Sequence, residues 1–294
     1  MTTETSKKPI LITGSHRSGS TWLAKMFELA GGTVVAQEPF NIQPWAYALD
    51  GLAEYWFTYA PALPQDPARR AFEKVLRRRT GRVFTRRQPQ RYLPFTRRGR
   101  LIVKDPIACL SSEWLAENFD LEVIVLVRHP AGFAASLKRL GWTFPFEHFL
   151  KQERLMEEQL APYRREIEDR PEDFVSQAAR LWKCLYGVLF EYASRNPSWI
   201  VRTHEELSLN PLGELEKLYG LLGLSWSPSA KTGITEYTKA DNPTSVPEGV
   251  VHQMRRNSAS AIYSWKEQLT GEETRHIYRE THELAARFYP IGEW

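Results

Sequence analysis

The chain has 294 residues, 42% of them hydrophobic and 12% aromatic, enough for one large α/β domain or two small ones with a buried core either way. No run approaches about 18 uninterrupted apolar residues, which excludes a membrane-spanning helix, and the polar start Met1–Lys8 lacks the apolar centre of a signal peptide. The net charge of +4 conceals a split: residues 69–100 hold twelve Arg and Lys74 against the single acid Glu73, a local +12 that leaves −8 for the remainder.

Residues 1–8 are expected to be disordered. Residues 9–13 read as an apolar strand, 14–20 as a Gly/Ser loop and 21–30 as a helix stopped by Gly31-Gly32. A short strand, Thr33 to Ala36, leads into Glu38-Pro39. Ala46 to Phe57 is compatible with a helix, and Pro67 opens another that runs to Arg79. The Arg-rich stretch 69–100 attracts phosphates, anionic glycans or lipid head groups. It is read as an acceptor-side or membrane-surface contact, with nucleic acid as the weaker alternative and a solvated helix face as the plain one. Arg100 to Val103 is a strand turned by Lys104-Asp105-Pro106, and Ser111 or Ser112 caps a helix through Asn118. Leu121 to Val127 is a nearly continuous apolar run, the pattern of a buried parallel strand. Long helices are expected over 146–168 and 172–195, a strand over Trp199 to Arg202, and a helix from Asn210-Pro211 to near Gly223. Residues 225–260 look loop-rich, and Thr270-Gly271-Glu272-Glu273 is a capping box for a last helix reaching about Phe288. Cys109 and Cys184 fit neither a disulfide framework nor a zinc site, so both are expected as buried free thiols. Strands separated by helices predict an α/β doubly wound parallel sheet, P-loop-like and flanked by helices. With no repeat or long linker, 1–294 is a single domain.

The first loop carries the strongest chemical signal. Gly14 and Gly19 occupy the glycine positions of a phosphate-cradling G-x-x-x-x-G and Thr21 its Ser/Thr position, but Ser20 stands where the lysine belongs. A strand–loop–helix of this kind aims backbone N–H groups and a helix N-terminus at an anion, and Arg17 is its one fixed cation.

Ser15-His16-Arg17-Ser18-Gly19-Ser20-Thr21-Trp22-Leu23 resembles the 5′-phosphosulfate loop of sulfotransferases that use 3′-phosphoadenosine 5′-phosphosulfate (PAPS). A second match follows: the strand Val123–Val127 ends in Arg128-His129-Pro130, with Ser136 eight residues beyond the arginine. In that family such an Arg and Ser bind the 3′-phosphate. The resemblance covers most of the chain in motif order and points to the carbohydrate-sulfotransferase-like branch, whose members carry a similar Glu-Pro and Lys-Asp-Pro. It implies PAPS as cofactor without a metal, and transfer of a sulfuryl group to a hydroxyl of a glycan, glycolipid or related acceptor. The cofactor set is Ser15, His16, Arg17, Ser18, Gly19, Ser20, Thr21, Trp22, Arg128, Ser136 and Arg256. Arg256 is chosen from a late basic segment (Arg255, Arg256, Ser258, Ser260) that lacks the Arg-Lys-Gly triplet of cytosolic members.

Sulfuryl transfer needs a base for the acceptor proton and cations for the leaving and transferred oxygens. Glu38 is the expected base, with His16 the next candidate, and Arg17 and Lys104 the expected cations. His129 belongs to a structural turn. The Arg202-Thr203-His204-Glu205-Glu206-Leu207 element resembles the family's Tyr-Glu-Asp-Leu, with His204 in the tyrosine's place, and implies a packing or adenine-proximal role. Trp45, Tyr47, Trp56 and Trp142 can stack on a sugar, although most such rings are core. Two other classes compete: a P-loop kinase or NTPase with Asp105 as its Mg²⁺ ligand, and a non-catalytic anion- or nucleic-acid-binding module. The absence of a signal or anchor suggests a cytoplasmic enzyme.

Overall fold

A computed structural model describes residues 7–44, 46–77, 99–169, 173–246, 250–251 and 253–294. Five strands, β1 (Ile10–Gly14), β2 (Thr33–Gln37), β3 (Arg100–Lys104), β4 (Glu122–Val127) and β5 (Ile200–Thr203), form one sheet in the order β2-β3-β1-β4-β5. Every pairing is parallel, with Ile12 opposite Ile124 and Leu11 opposite Val103. This is the expected parallel α/β sheet. Chain order reverses direction across β1, so a crevice opens at its C-terminal end, where such sheets bind ligands.

The period-2 alternation of β1 splits the core into two layers. Leu11 faces one side with Val103 and Val125, under the long helix Phe174–Arg195, helix Pro130–Leu140 and the last helix Gly271–Ala285. Ile10 and Ile12 face the other with Ile102, Ile124 and Leu126, covered by helices Ser20–Glu28, Pro211–Leu222 and Pro228–Thr238. Both layers are apolar, so the strands read as nearly unbroken hydrophobic runs. Cys109 and Cys184 are fully buried free thiols whose pKa values burial pushes up. Among the described residues no helix is long and apolar enough to cross a membrane.

Several expectations are corrected. Lys8 pairs with Asp120 at 2.8 Å and Lys7 donates to the Gly223 carbonyl, so order begins before residue 9, while residues 1–6 lie outside the described set. Residues 46–57 form only a four-residue turn, Ala48–Gly51, in which Leu49 and Asp50 have φ of 47° and 61°. The N–H groups of Ala48 and Leu49 donate back to the Asn41 and Pro39 carbonyls instead of forming a helical ladder. The helix expected to run to Arg79 is Gln65–Leu76; residues 78–98, most of the Arg-rich stretch, lie outside the described residues. Residues 146–168 break into Glu147–Leu150, Glu153–Glu158 and Arg164–Glu168. The Gln152 side chain leaves the helical path to bind the Tyr59 N–H and the Phe57 carbonyl, and Pro162 makes the second break. Neither Ser111 nor Ser112 caps helix Ser112–Asn118, because their hydroxyls donate to the Thr58 and Cys109 carbonyls. The loop-rich stretch 225–260 contains helix Pro228–Thr238, announced by an N-cap Ser227 and a first-turn proline. The capping boxes at Thr203/Glu206 and Thr270/Glu273 both form.

Candidate active site

Gly14 ends β1 at φ 137°, where an added Cβ would lie 2.2 Å from the Leu126 carbonyl oxygen, so only glycine lets the chain leave the sheet so close to β4. Tyr186 on the long helix then pins the start of the loop. Its hydroxyl donates to the Leu126 carbonyl at 2.9 Å, receives the Ser15 N–H at 3.3 Å and bonds the Ser15 hydroxyl at 2.9 Å. Arg17 adopts a left-handed φ of 66°, and Gly19, at φ 95°, opens helix Ser20–Glu28. That helix has no side-chain cap and no acid in its first turn, so its leading N–H groups remain available to an anion. A Cβ on Gly19 would meet His204 Nδ1 at 2.6 Å: the imidazole lies against the loop where a side chain would otherwise be.

Beside the loop opens a cavity of about 710 Å³. Arg17, Gly19, Ser20, Thr21 and Trp22 line it from the loop, Arg128, Ser136 and Arg139 from β4 and its helix, and His204 and Arg256 from β5 and the late segment. Four arginines therefore converge. Arg17 donates to the Ser136 hydroxyl (3.1 Å) and the Val251 carbonyl (2.8 Å), and Arg128 to the Arg17 carbonyl (2.6 Å). Arg139 donates to the Val250 carbonyl (3.0 Å) and Arg256 to that of Thr244. Each of these partners is a neutral oxygen. Burial, then mutual repulsion, pulls the pKa values of Arg17 and Arg256 below the usual arginine range, and burial does the same for Arg128. Arg128 Nε and Arg256 Nε are buried with no hydrogen-bond partner among the described residues. Donors left in this state are costly unless an anion meets the guanidinium groups.

Of the residues expected to bind the cofactor, Arg17, Gly19, Ser20, Thr21, Trp22, Arg128, Ser136 and Arg256 line this cavity and Ser15, His16 and Ser18 do not. Ser15 is turned into the core by Tyr186, and Ser18 Oγ is buried with no hydrogen-bond partner among the described residues. Arg255 instead lies over the Tyr237 ring, and Ser258 donates to the Ser208 carbonyl at 2.7 Å. Arg139 was not singled out by sequence, although its place three residues after Ser136, on the same helical face, was a usable signal.

The second part of the site is built on β2 and β3. Glu38 follows β2 at a left-handed φ of 47°, with its N–H on the Lys104 carbonyl at 2.8 Å. Its carboxylate takes Lys104 Nζ at 2.5 Å and Asn41 Nδ2 at 2.7 Å. Lys104 is only 1% exposed, so this is a buried cation facing a partly exposed carboxylate, and neither group lines the arginine cavity. Asp105 is fully buried and accepts the N–H groups of Phe40, Ile107 and Ala108, which folds the Glu38–Phe40 turn onto β3. Burial pushes its pKa up to about 7. A carboxylate so committed is poorly placed to hold a metal at a phosphate. Among the described residues there is no group of three or more His, Cys, Asp or Glu able to hold one.

His16 joins the two parts. Its ring contacts Phe57, Phe133 and Trp142 with centroids 5.6, 5.2 and 6.5 Å away, its Nδ1 is buried with no hydrogen-bond partner among the described residues, and burial lowers its pKa to about 4. Trp142, 40% exposed, lies 5.8 Å from the Arg17 guanidinium, a stacking candidate beside the loop. Tyr47 hydrogen-bonds the Ala71 carbonyl, Trp56 packs against the core, and Trp45 lies outside the described residues. His129 caps helix Pro130–Leu140 by accepting the Ala131 N–H, as a structural residue would.

The fold and the site define a nucleotide- or phosphate-directed α/β protein with a glycine loop and an arginine-lined cavity. Residues 9–228 match the sulfotransferase family, and the chain belongs to it: the protein is a sulfotransferase. No curated protein matches the chain. Among solved structures it is similar to mouse sulfotransferase SULT7A1 complexed with PAP (14% identity, 97% of this chain and 87% of that one, TM-score 0.46). It is also similar to sulfotransferase STF9 from Mycobacterium avium (13% identity, 96% and 77%, TM-score 0.49). A third is the sulfotransferase domain from the curacin biosynthetic pathway (15% identity, 94% and 98%, TM-score 0.46).

Proposed function

We propose that the protein transfers a sulfuryl group from PAPS to a hydroxyl acceptor of the glycan or glycolipid class. The observation that carries the nucleotide half is the convergence of Arg17, Arg128, Arg139 and Arg256 on one cavity, the buried Nε atoms of Arg128 and Arg256 having no hydrogen-bond partner among the described residues. A nucleotide with phosphates at both its 3′ and 5′ positions fits such a cavity: the loop and the free first turn of helix Ser20–Glu28 take the 5′ end, and Arg128, Ser136 and Arg256 the 3′-phosphate. When bound, PAPS supplies the sulfuryl group, and its 5′-phosphate keeps the electron pair of the broken S–O bond.

Glu38 accepts the acceptor's proton as the acceptor oxygen bonds to sulfur. Lys104 holds one carboxylate oxygen and Asn41 the other, so the base is oriented before the acceptor arrives. Arg17 reaches from the loop toward Ser136 and Trp142 and meets charge developing on the transferred oxygens. Trp142 offers an exposed ring for the acceptor's flat face, and the use of Glu38 rather than a histidine supports the carbohydrate-like branch.

Calorimetric titration with adenosine 3′,5′-bisphosphate (PAP) in EDTA, beside ATP with Mg²⁺, tests this reading. Tight metal-free binding of PAP with weak ATP is expected. A preference for Mg·ATP would contradict the reading and make Asp105 the residue to examine.

A further inference from the structure

Arg128 has cations on its cavity side and needs a counter-charge that does not stand in the ligand's way. An acid lining that end of the cavity would repel a phosphate. Behind the strand end, outside the cavity, sits Glu205. One carboxylate oxygen accepts the His129 N–H at 3.2 Å, and the other accepts the Tyr289 hydroxyl at 2.8 Å. Burial lowers the pKa of Arg128 and raises that of Glu205, and the interaction between the two opposes both shifts.

The geometry around this carboxylate is tightly determined. Trp182 Nε1 donates to the Arg128 carbonyl at 2.8 Å, and Gly132 clears the space in which a Cβ would lie 3.3 Å from Arg128 Nε. The His129 ring is stacked on Trp265 (centroids 5.2 Å apart, planes 8°) and enclosed by Tyr289 and Trp294 at 4.9 and 4.4 Å. Tyr289 comes from beyond the last helix and is only 2% exposed. The end of the chain thus closes the back of the turn that presents Arg128.

We propose that Glu205, fixed by Tyr289 and the His129 N–H, is a positioning residue for Arg128: it supplies the counter-charge from the rear and keeps the guanidinium's front face for a 3′-phosphate. The inference rests on the proposed role of Arg128 as 3′-phosphate clamp. It predicts a selective loss, because only a ligand carrying the 3′-phosphate feels the misplacement.

The full chain is titrated calorimetrically with PAP and with adenosine 5′-monophosphate. Glu205→Gln, nearly isosteric, should weaken PAP by about 10-fold while the monophosphate changes less than about twofold. Tyr289→Phe, which keeps the ring and removes the hydroxyl, should shift the same ratio in the same direction by about 3-fold, and keeps the test alive if Glu205→Gln does not fold. In an Arg128→Ala background the Glu205→Gln change should cost nothing further. Equal losses for both nucleotides, or an unchanged ratio with only a lower melting temperature, would make Glu205 a structural residue and overturn the proposal. If the wild type itself binds both nucleotides equally, the Arg128 clamp falls and takes this inference with it. If the wild type prefers PAP and both variants keep that preference, the positioning role alone falls.

Discussion

The two parts of the site treat charge in opposite ways. On the β4 side, four arginines crowd one cavity and donate to hydroxyl and carbonyl oxygens of the described residues, and two Nε atoms have no hydrogen-bond partner among those residues. On the β2–β3 side, the carboxylate of Glu38 already meets Lys104 and Asn41, and Asp105 meets three main-chain N–H groups. The first arrangement is strained until an anion arrives; the second is settled before any ligand does. A site that must grip a polyanion and then remove one proton needs both: donors held ready for the nucleotide, and a base whose orientation does not depend on it.

The contrast can be broken by substitution. Glu38→Gln should lower turnover of PAPS with a hydroxyl acceptor panel by about 1,000-fold, since general-base catalysis contributes on this scale. Retained turnover would move the base to His16. Lys104→Met breaks the pair between the buried cation and the Glu38 carboxylate, so denaturant unfolding should show a loss of about 3 kcal/mol. Gly19→Ala forces a Cβ into His204 at an unfavourable φ and should cost about 2 kcal/mol of stability, with weaker PAP binding measured by calorimetry.

The smallest effect concerns the structural turn. Burial, then repulsion by Arg128 and Lys266, lowers the pKa of His129 to about 3. The unfolded chain therefore binds a proton that the folded chain refuses, and this residue's contribution to stability is lost as pH falls from about 6.5 toward 3. In His129→Gln that contribution is absent. The wild type should lose up to about 1.4 kcal/mol more per pH unit than the variant across this window, read from urea melts at several pH values.

Much of the fold was legible because its signals are local. Five apolar runs became five strands, and Gly223, Thr203 and Thr270 ended or began helices where their side chains or φ values dictate. Residues 46–57 misled because the Ala48 and Leu49 N–H groups are claimed by the Asn41 and Pro39 carbonyls, and 146–168 because the Gln152 side chain is spent on the Tyr59 N–H and the Phe57 carbonyl; no local pattern encodes such claims. The site was read in the same way. Gly19, Arg17, Arg128, Ser136 and Arg256 fall on one cavity, as residues at strand ends of a parallel sheet should. Ser15 was read from its loop position, yet Tyr186, 171 residues away, turns it inward. His204 packs on Gly19 and Arg139 joins the cavity through tertiary proximity that the spacing merely permitted.

The division between the two parts is tested most directly by PAP affinity in two variants measured side by side, with no acceptor needed. Arg128→Ala should weaken PAP by about 100-fold and Glu38→Gln by less than about twofold. Equal losses in both variants, or unchanged binding in Arg128→Ala, would contradict it.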